Sequence, residues 1–570
     1  MVNPDLFKTS RGKAPRTVST TSEGEPFRNE AGGVAFEHTP KHALAQYACT
    51  GTLNNTFYAS DRDQLAKTLE LVKKVNDPEF IGKLAIYARK SAFMKDMPAL
   101  LTAVLFARSS AKYLATDSSV PGIKKLGHAV EAQAYANVFK TVFPVVIDNA
   151  RMLRNFVQII RSGQLGRKSF GTMGKRALRE WFDVRPADAI FRSSIGKNPS
   201  LADIVRMVRP KPKAGAEALY PYLIGYDPEE KATAKQKELR QFYKPEQLPA
   251  LIQSYEAFKA GTSKEVPKVD FRQLTDLELT TEMWRGIARN GRWHQTRMNL
   301  NTYTRHGCFE GQKGTELVME LAEMLRDEEQ IHRAMVFPYQ LYAAYMNTEG
   351  IPPVLKEALQ DAMEVATKNV PQLPGHTYVF PDVSGSMTWA AATGDRGSAT
   401  SAVKCVDIAA LVASAILRTS PLATVIPVDT RLHTNLHLNP RDSVMTNAKK
   451  LAACGGGGTN LGLGLAHLVQ SKAEVDTIIF VTDNESWAGG YYGNTTGSET
   501  YWQQIKSRNP NAKLVSLQIQ AYGSGQVADE KDGVLNIGGF SDQVFNVIER
   551  FVTGDNANFW VEEIEKITLG

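Results

Sequence analysis

Asp382-Val383-Ser384-Gly385-Ser386 puts one carboxylate and two hydroxyls at alternate positions of a short stretch, directly after the apolar run 376–380. Side chains that offer only oxygen suit a hard divalent cation such as Mg²⁺. Two more oxygens stand in comparable places. Gly455 to Gly458 lead into Thr459, and the apolar run 477–482 ends at Asp483. Asp382, Ser384, Ser386, Thr459 and Asp483 form a candidate ligand set on three separate segments, which argues for a metal centre and against a serine nucleophile. Asp407 and Asp429 are left out of the set, the first because it falls inside a helical pattern and the second because it falls in a turn.

These residues must be held by strands and helices in alternation. Runs 378–380, 423–428, 477–482 and 514–520 are short and rich in β-branched residues. Between them the helical pattern is clearest over 401–417, where Val403, Val406, Ala410, Ala413 and Leu417 recur at helical spacing. Such alternation predicts a mostly parallel sheet covered on both faces. Ligands of these sheets sit at the carboxyl ends of the strands, where Asp382 and Asp483 fall. The segment resembles a von Willebrand factor A domain with its metal-ion-dependent adhesion site.

A chain of 570 residues with 43% hydrophobic content is long enough for more than one packed domain. No apolar run approaches the ~20 residues of a membrane span. The first residues, with Asp5, Lys8, Arg11 and Lys13, do not read as a secretory signal. Cys49, Cys308, Cys405 and Cys454 are scattered without zinc or redox spacing. Free thiols in a reducing, cytoplasmic setting are the expectation.

Charge is shared unevenly. Residues 1–360 hold 52 Lys+Arg against 39 Asp+Glu, a net of +13, and residues 361–570 hold 15 against 21, a net of −6. Residues 151–213 alone carry 15 basic and 4 acidic residues, a net of +11. A local field of that size is the footprint of a polyanion site. The stretch also has helical apolar spacing, at Met152, Phe156, Ile159 and Ile160 and again at Leu178, Trp181 and Phe182. Gly163, Gly166, Gly171 and Gly174 are expected to break the helix between them. Arg192 and Lys197 precede a capped helix running from Ser200 to Val208, and Arg209-Pro210-Lys211-Pro212-Lys213 follows it. A second basic cluster interleaves Arg285, Arg289, Arg292, Arg297 and Arg305 with Trp284, Trp293, Tyr303, His294 and His306. Its arginines suit phosphates, and its aromatic rings, if exposed, would stack on unpaired bases.

The rest of the first part reads as helix after helix, at 61–75, 80–91, 98–109, 128–143, 315–326 and 354–366, with short connections. Such pairs predict a HEAT-like helical-repeat solenoid, although no strict internal repeat is visible. The expected organisation is a flexible N-terminal arm at 1–20, a helical-repeat domain at 21–365 and the doubly wound A domain at 366–570. Residues 489–500 are expected to form a loop over the metal site.

A helical domain leading directly into Asp382-Val383-Ser384-Gly385-Ser386, Gly458-Thr459-Asn460 and Thr482-Asp483-Asn484-Glu485-Ser486-Trp487-Ala488-Gly489-Gly490 resembles the Ro autoantigen family. Gly174-Lys175-Arg176-Ala177-Leu178-Arg179 and Ser200-Leu201-Ala202-Asp203-Ile204-Val205-Arg206 are similar to segments of its helical part, the TROVE module. The resemblance implies RNA binding without catalysis. Small Y-like noncoding RNA would lie on a basic outer surface, and single-stranded ends of defective RNA would lie in a helical ring. The 3′-exoribonuclease polynucleotide phosphorylase would be a partner. Carried over by position, Lys168, Lys175, Arg176 and Arg179 lie on the RNA surface, with Arg206 and Arg209 nearby. Where the family has a histidine linked to RNA binding, this chain has Leu201; Arg192, Lys197 and Lys211 are candidates to compensate through phosphates.

At the metal, the class implies a coordination position kept for a protein carboxylate. Two other readings compete. One is a metal-dependent protein scaffold without RNA, which leaves the +11 stretch unexplained. The other is a nuclease using Asp382, Asp483 and Glu485, which lacks the second carboxylate pair that two-metal chemistry requires.

Overall fold

The computed structural model describes residues 26–28, 34–37, 39–49, 61–92, 94–112, 125–225, 247–334, 336–390, 403–483, 491–492, 495–519, 524–525, 533–538, 544–554 and 559–569. The expected arm at 1–20 lies outside them. Among the described residues no helix is long and apolar enough to cross a membrane.

Helices dominate from Pro40 to Thr367, and most are placed by local signals in the sequence. Asn149 caps the helix Ala150–Ser162 by accepting from the Met152 N–H at 3.1 Å, and Gly163 ends it in the left-handed region at φ +79°. Ser200 and Asp203 form a reciprocal capping box at the start of Leu201–Val208. Asp77 caps Pro78–Lys90 through the Phe80 N–H. Amphipathic helices turn one apolar face inward, which for Ala150–Ser162 includes Met152, Leu153, Phe156 and Ile160, whereas Met97–Arg108 is buried nearly all round. Neighbouring helices in sequence pack on one another, as in Pro78–Lys90 with Met97–Arg108 and Pro338–Met346 with Pro353–Thr367. The result is the helical-repeat region expected.

Gly174 does not break a helix. It lies inside Gly171–Asp183, where its lack of a side chain lets Phe106 approach; a Cβ there would stand 2.6 Å from the Phe106 Cζ.

Among the described residues ten strands are numbered in chain order. β1 (Pro26–Arg28) and β2 (Val34–Glu37) pair antiparallel, and β2 also pairs with β9 (Ser524–Gly525). β3 (Thr377–Pro381), β4 (Ala423–Val425), β5 (Thr477–Thr482), β8 (Lys513–Gln518) and β10 (Val534–Gly538) form one parallel sheet in the order β10-β8-β5-β3-β4. β6 (Tyr491–Tyr492) and β7 (Thr495–Thr496) make a two-stranded ribbon, and the helix Gly497–Arg508 begins immediately afterwards. Regular structure therefore replaces the open loop expected over 489–500, wherever that span is described. The strand expected at 423–428 stops at Val425, and only an isolated bridge from Val428 to Asp382 continues it.

Alternation along the strands builds two cores. Val379, Ile479, Val515 and Leu535 face the buried helix Cys405–Thr419, whereas Phe380, Phe480, Leu514 and Val534 pack with Leu465, Leu468 and Trp502. Chain order reverses between β3 and β5, so a crevice opens beyond their carboxyl ends.

The helical region touches this domain at both of its ends. At the beginning, His42 Nε2 lies 3.3 Å from the Asn536 carbonyl on β10, and Lys41 pairs with Glu565 at 2.6 Å. At the end, Tyr342 donates to Asp407 at 3.1 Å, Glu364 accepts from the Val444 N–H at 2.8 Å, and the Phe337 and Phe545 rings stack with centroids 5.6 Å apart.

A candidate metal centre and two cationic surfaces

Asp382 follows β3 and Asp483 follows β5, so the β3–β5 pairing sets the two carboxylates side by side over the crevice. Both are buried, with Ser384 and Thr459, while Ser386 is half-buried. The Ser384 N–H donates to Asp382 Oδ1 at 2.9 Å, the Thr482 hydroxyl donates to Asp382 Oδ2 at 2.7 Å, and the Ser384 and Ser386 hydroxyl oxygens are 3.2 Å apart. The glycine run is tied to the same loop. Gly385 N–H donates to the Gly457 carbonyl at 2.8 Å and Gly456 N–H to the Val383 carbonyl at 2.7 Å. A Cβ on Gly455 would lie 2.3 Å from the Val383 carbonyl oxygen, which accounts for glycine there. The glycine run is thus tied to the segment from Asp382, and the β3–β5 pairing brings Asp483 beside it.

The electrostatics match a cation. Burial, and then the neighbouring Asp483 charge, push the Asp382 carboxyl up to about 7, against the hydrogen bonds from Thr482 and Ser384. Two buried carboxylates in mutual repulsion, surrounded by three hydroxyls, fit a hard divalent ion and offer no soft ligand. The Cys405 thiol beside them is buried, and that burial together with Asp483 and Asp382 raises its pKa, so it stays protonated. Among the described residues no group of three or more His, Cys, Asp and Glu is arranged for a metal; this donor set relies on hydroxyls. Glu485, the base of the nuclease reading, lies outside the described residues. Asp407 sits in the first turn of Cys405–Thr419 and Asp429 in a turn, as expected.

Lys168, Lys175, Arg176 and Arg179 are all exposed, on or just before Gly171–Asp183. Arg179 Nε donates to the Val208 carbonyl at 2.7 Å, joining this helix to Leu201–Val208. Arg176 pairs only with Glu180 on its own helix, at 3.1 Å. Arg206 and Arg209 are exposed at the end of the neighbouring helix, Arg206 donating to the Ile224 carbonyl. Arg192 and Lys197 are exposed beyond it, Arg192 donating to the Lys268 carbonyl at 2.7 Å. Leu201 is 1% exposed and belongs to the core, so its position contributes no side chain to this surface.

The second cluster is different from what its composition suggests. Trp284, Trp293 and Tyr303 are buried, and Trp284 stacks on His306 with centroids 4.1 Å apart, so these rings are not a platform for bases. Arg285 donates to the Cys308 and Glu310 carbonyls, and Arg289 pairs with Glu320 at 2.8 Å. Arg292 is exposed.

A second cationic surface is one the sequence does not reveal. Lys95 is exposed to solvent, yet loss of hydration is the first cause lowering its pKa, followed by Arg151. Exposure together with lost hydration describes a side chain reached by water but flanked by protein, here called a recess. His294, also exposed, is lowered by lost hydration, then by Arg297 and in part by Lys95, although it bonds the Ala334 backbone. Lys95, Arg151, Arg272 and His294 come from four distant segments, so no local pattern marks them.

A family model described as the Ro60 vWA domain matches residues 377–552. The chain is 23% identical over 549 residues to the "RNA-binding protein RO60" of Deinococcus radiodurans, covering 93% of this chain and 95% of that one. It is 21% identical over 617 residues to the "RNA-binding protein RO60" of Caenorhabditis elegans, covering 95% and 92%. The crystal structure of the Deinococcus radiodurans RO (RSR) protein superimposes with a TM-score of 0.59 at 20% identity, over 90% of this chain and 99% of that chain, which establishes the shared fold.

Proposed function

We infer that this chain, a relative of the Ro proteins along its length with a Ro60-type vWA domain, is an RNA-binding protein of RNA quality control. The observation that carries this reading is the exposed cationic face of Lys168, Lys175, Arg176 and Arg179, in the stretch whose net charge is +11. Phosphate contacts of this kind give affinity with little sequence information. The outer face takes a small structured, Y-like RNA, with Arg192, Lys197, Arg206 and Arg209 extending the phosphate track. The recess beside Lys95 takes a single strand, since a duplex is too wide for a narrow opening. An exoribonuclease such as polynucleotide phosphorylase then works on RNA presented by the complex, and the chain itself binds rather than cleaves. Its free thiols suit a reducing cytoplasm.

In the A domain, Asp382, Ser384, Ser386, Thr459 and Asp483 would hold Mg²⁺. A bound cation would supply a Lewis-acid position for a partner's carboxylate. The residues around it hold that position rigid: Thr482 and the Ser384 N–H fix Asp382, and the glycine run fixes Thr459. A net charge of −6 over 361–570 favours a protein ligand over RNA at this end.

Crosslinking in the source cells, purification of the protein and sequencing of the attached RNA tests the reading. A small structured RNA together with RNA 3′ ends supports it. Clean protein with a metal-dependent protein partner refutes it in favour of a scaffold.

A further inference from the structure

Arg154 is 6% exposed, and its Nη1 has no hydrogen-bond partner among the described residues. Its Nε–H reaches only the Ala150 carbonyl, one turn back, at 3.4 Å. A guanidinium keeps its charge even at this depth, and a buried charge without a counter-ion is costly. The guanidinium lies against Gly196, where a Cβ would fall 1.6 Å from Nη1.

Two more cations, Arg151 and Arg272, act on it, and Lys95 lies beside those two. Arg151 is three residues earlier on the same helix. Lys95 is brought alongside by Asn155, whose Nδ2 donates to the Lys95 carbonyl at 3.4 Å and to Asp96 Oδ1 at 3.0 Å. Arg272 arrives with the helix Phe271–Thr275. Its neighbour Gln273 donates to the Phe191 carbonyl at 2.9 Å and to Ser194 Oγ at 3.2 Å, at the base of the loop that contains Gly196. Lys95 and Arg272 are exposed, and neither has an ion pair among the described residues.

Burial, and then the positive charges of Arg151 and Arg272, lower the Arg154 pKa, with no carboxylate acting the other way. Asp96 is the one carboxylate that acts on Lys95. Among these named charges Asp96 is the single carboxylate, so the cluster stays net positive.

We propose that Lys95, Arg151 and Arg272, backed by the buried Arg154, bind a phosphomonoester: the terminal phosphate of a single-stranded RNA end. The proposal rests on the RNA-binding reading and adds what the recess selects. A backbone diester brings a single negative charge. A terminal phosphate brings −1.5 to −2 and three acceptor oxygens, a better match for clustered guanidinium and ammonium donors. The recess therefore discriminates RNAs by the chemistry of their ends. Either end of a strand can carry such a phosphate, so both ends are tested.

The full chain is titrated with a short single-stranded oligoribonucleotide ending in hydroxyls, in a 3′-phosphate or in a 5′-phosphate, at one salt concentration. The expected result is affinity about tenfold higher for one phosphorylated form than for the hydroxyl form. Lys95→Gln with Arg272→Gln, both at exposed positions, should erase that difference; Arg154→Gln should do the same if it folds. Equal affinity for all three oligonucleotides overturns the proposal and leaves RNA binding standing. A phosphate preference that survives Lys95→Gln/Arg272→Gln overturns it too. If no oligonucleotide binds, the RNA reading fails separately, and inorganic phosphate becomes the probe. A thermal shift over chloride of equal ionic strength, lost in the double variant, then supports the anion site, and no shift overturns it.

Discussion

Thr482 donates its hydroxyl hydrogen bond to Asp382 across 2.7 Å, so the last residue of β5 supports the carboxylate that follows β3. The strand that ends in the second carboxylate thus also orients the first. Thr482→Val keeps the strand shape and removes the donor. Weaker Mg²⁺ response with a near-normal fold is the expected outcome, about 1.5–3 kcal/mol for one lost hydrogen bond to a charged group. Isothermal titration with Mg²⁺ checks it.

The metal-free protein should show a defined pH dependence. Asp382 titrates near 7 when folded, above its ordinary 3.8, so the folded state holds the proton more tightly. Stability from this group is present at low pH and declines as pH rises from about 4 through 7, by a few kcal/mol in order of magnitude. Mg²⁺ should reverse the decline by taking the proton's place. Asp382→Asn should flatten the profile and abolish the Mg²⁺ effect in thermal melts at several pH values; a melt insensitive to Mg²⁺ in the parent protein would refute this centre.

Reversing Lys175 and Arg176 to glutamate should weaken binding of a structured RNA by about 100-fold or more at low salt, with the melting temperature nearly unchanged. Both side chains are exposed, and Arg176 pairs only on its own helix. Arg179→Glu should also cost some stability, because Arg179 holds the Val208 carbonyl. Filter binding across a salt series separates the two effects.

Trp284→Ala should act on folding and not on RNA recognition. The ring is 2% exposed and stacked on His306, so its loss should cost about 3–5 kcal/mol. A shifted denaturation midpoint is the readout. An RNA defect in a variant of undiminished stability would show that the buried assignment is wrong.

Gly174→Ala inserts a methyl group 2.6 Å from the Phe106 ring, which is packed against Phe139, Phe156 and Phe170. Overpacking there should destabilise by about 1–3 kcal/mol despite the gain in helix propensity. Chemical denaturation measures the sign directly.

What could be read in the sequence was local or periodic. Asp382, Ser384 and Ser386 fall within five consecutive residues, Thr459 is marked by the glycine run before it, and the strand end before Asp483 follows from a hydrophobic run. The capped helix at Ser200 was legible because both partners of its box are three residues apart. Gly174 was misleading because glycine marks both a break and a close approach, and only the position of Phe106 decides between them. Trp284 and Tyr303 were ambiguous for a similar reason, since composition does not say which face of a helix is covered. Lys95, Arg154 and Arg272 were invisible as a group. Their meeting depends on Asn155 and Gln273 holding turns that lie far apart in the chain.

The attachment of both ends of the helical series to one sheet domain, through His42 and Lys41 at one end and Tyr342 and Glu364 at the other, imposes a closure condition on its motions. In an open array each joint bends independently and the free end absorbs the sum. Here the rotations around the circuit must cancel, so widening at one joint demands a compensating narrowing elsewhere or a shift of the sheet domain itself. A small displacement beneath Asp407 or Glu364 then bears directly on the helices that hold those contacts, Pro338–Met346 and Pro353–Thr367.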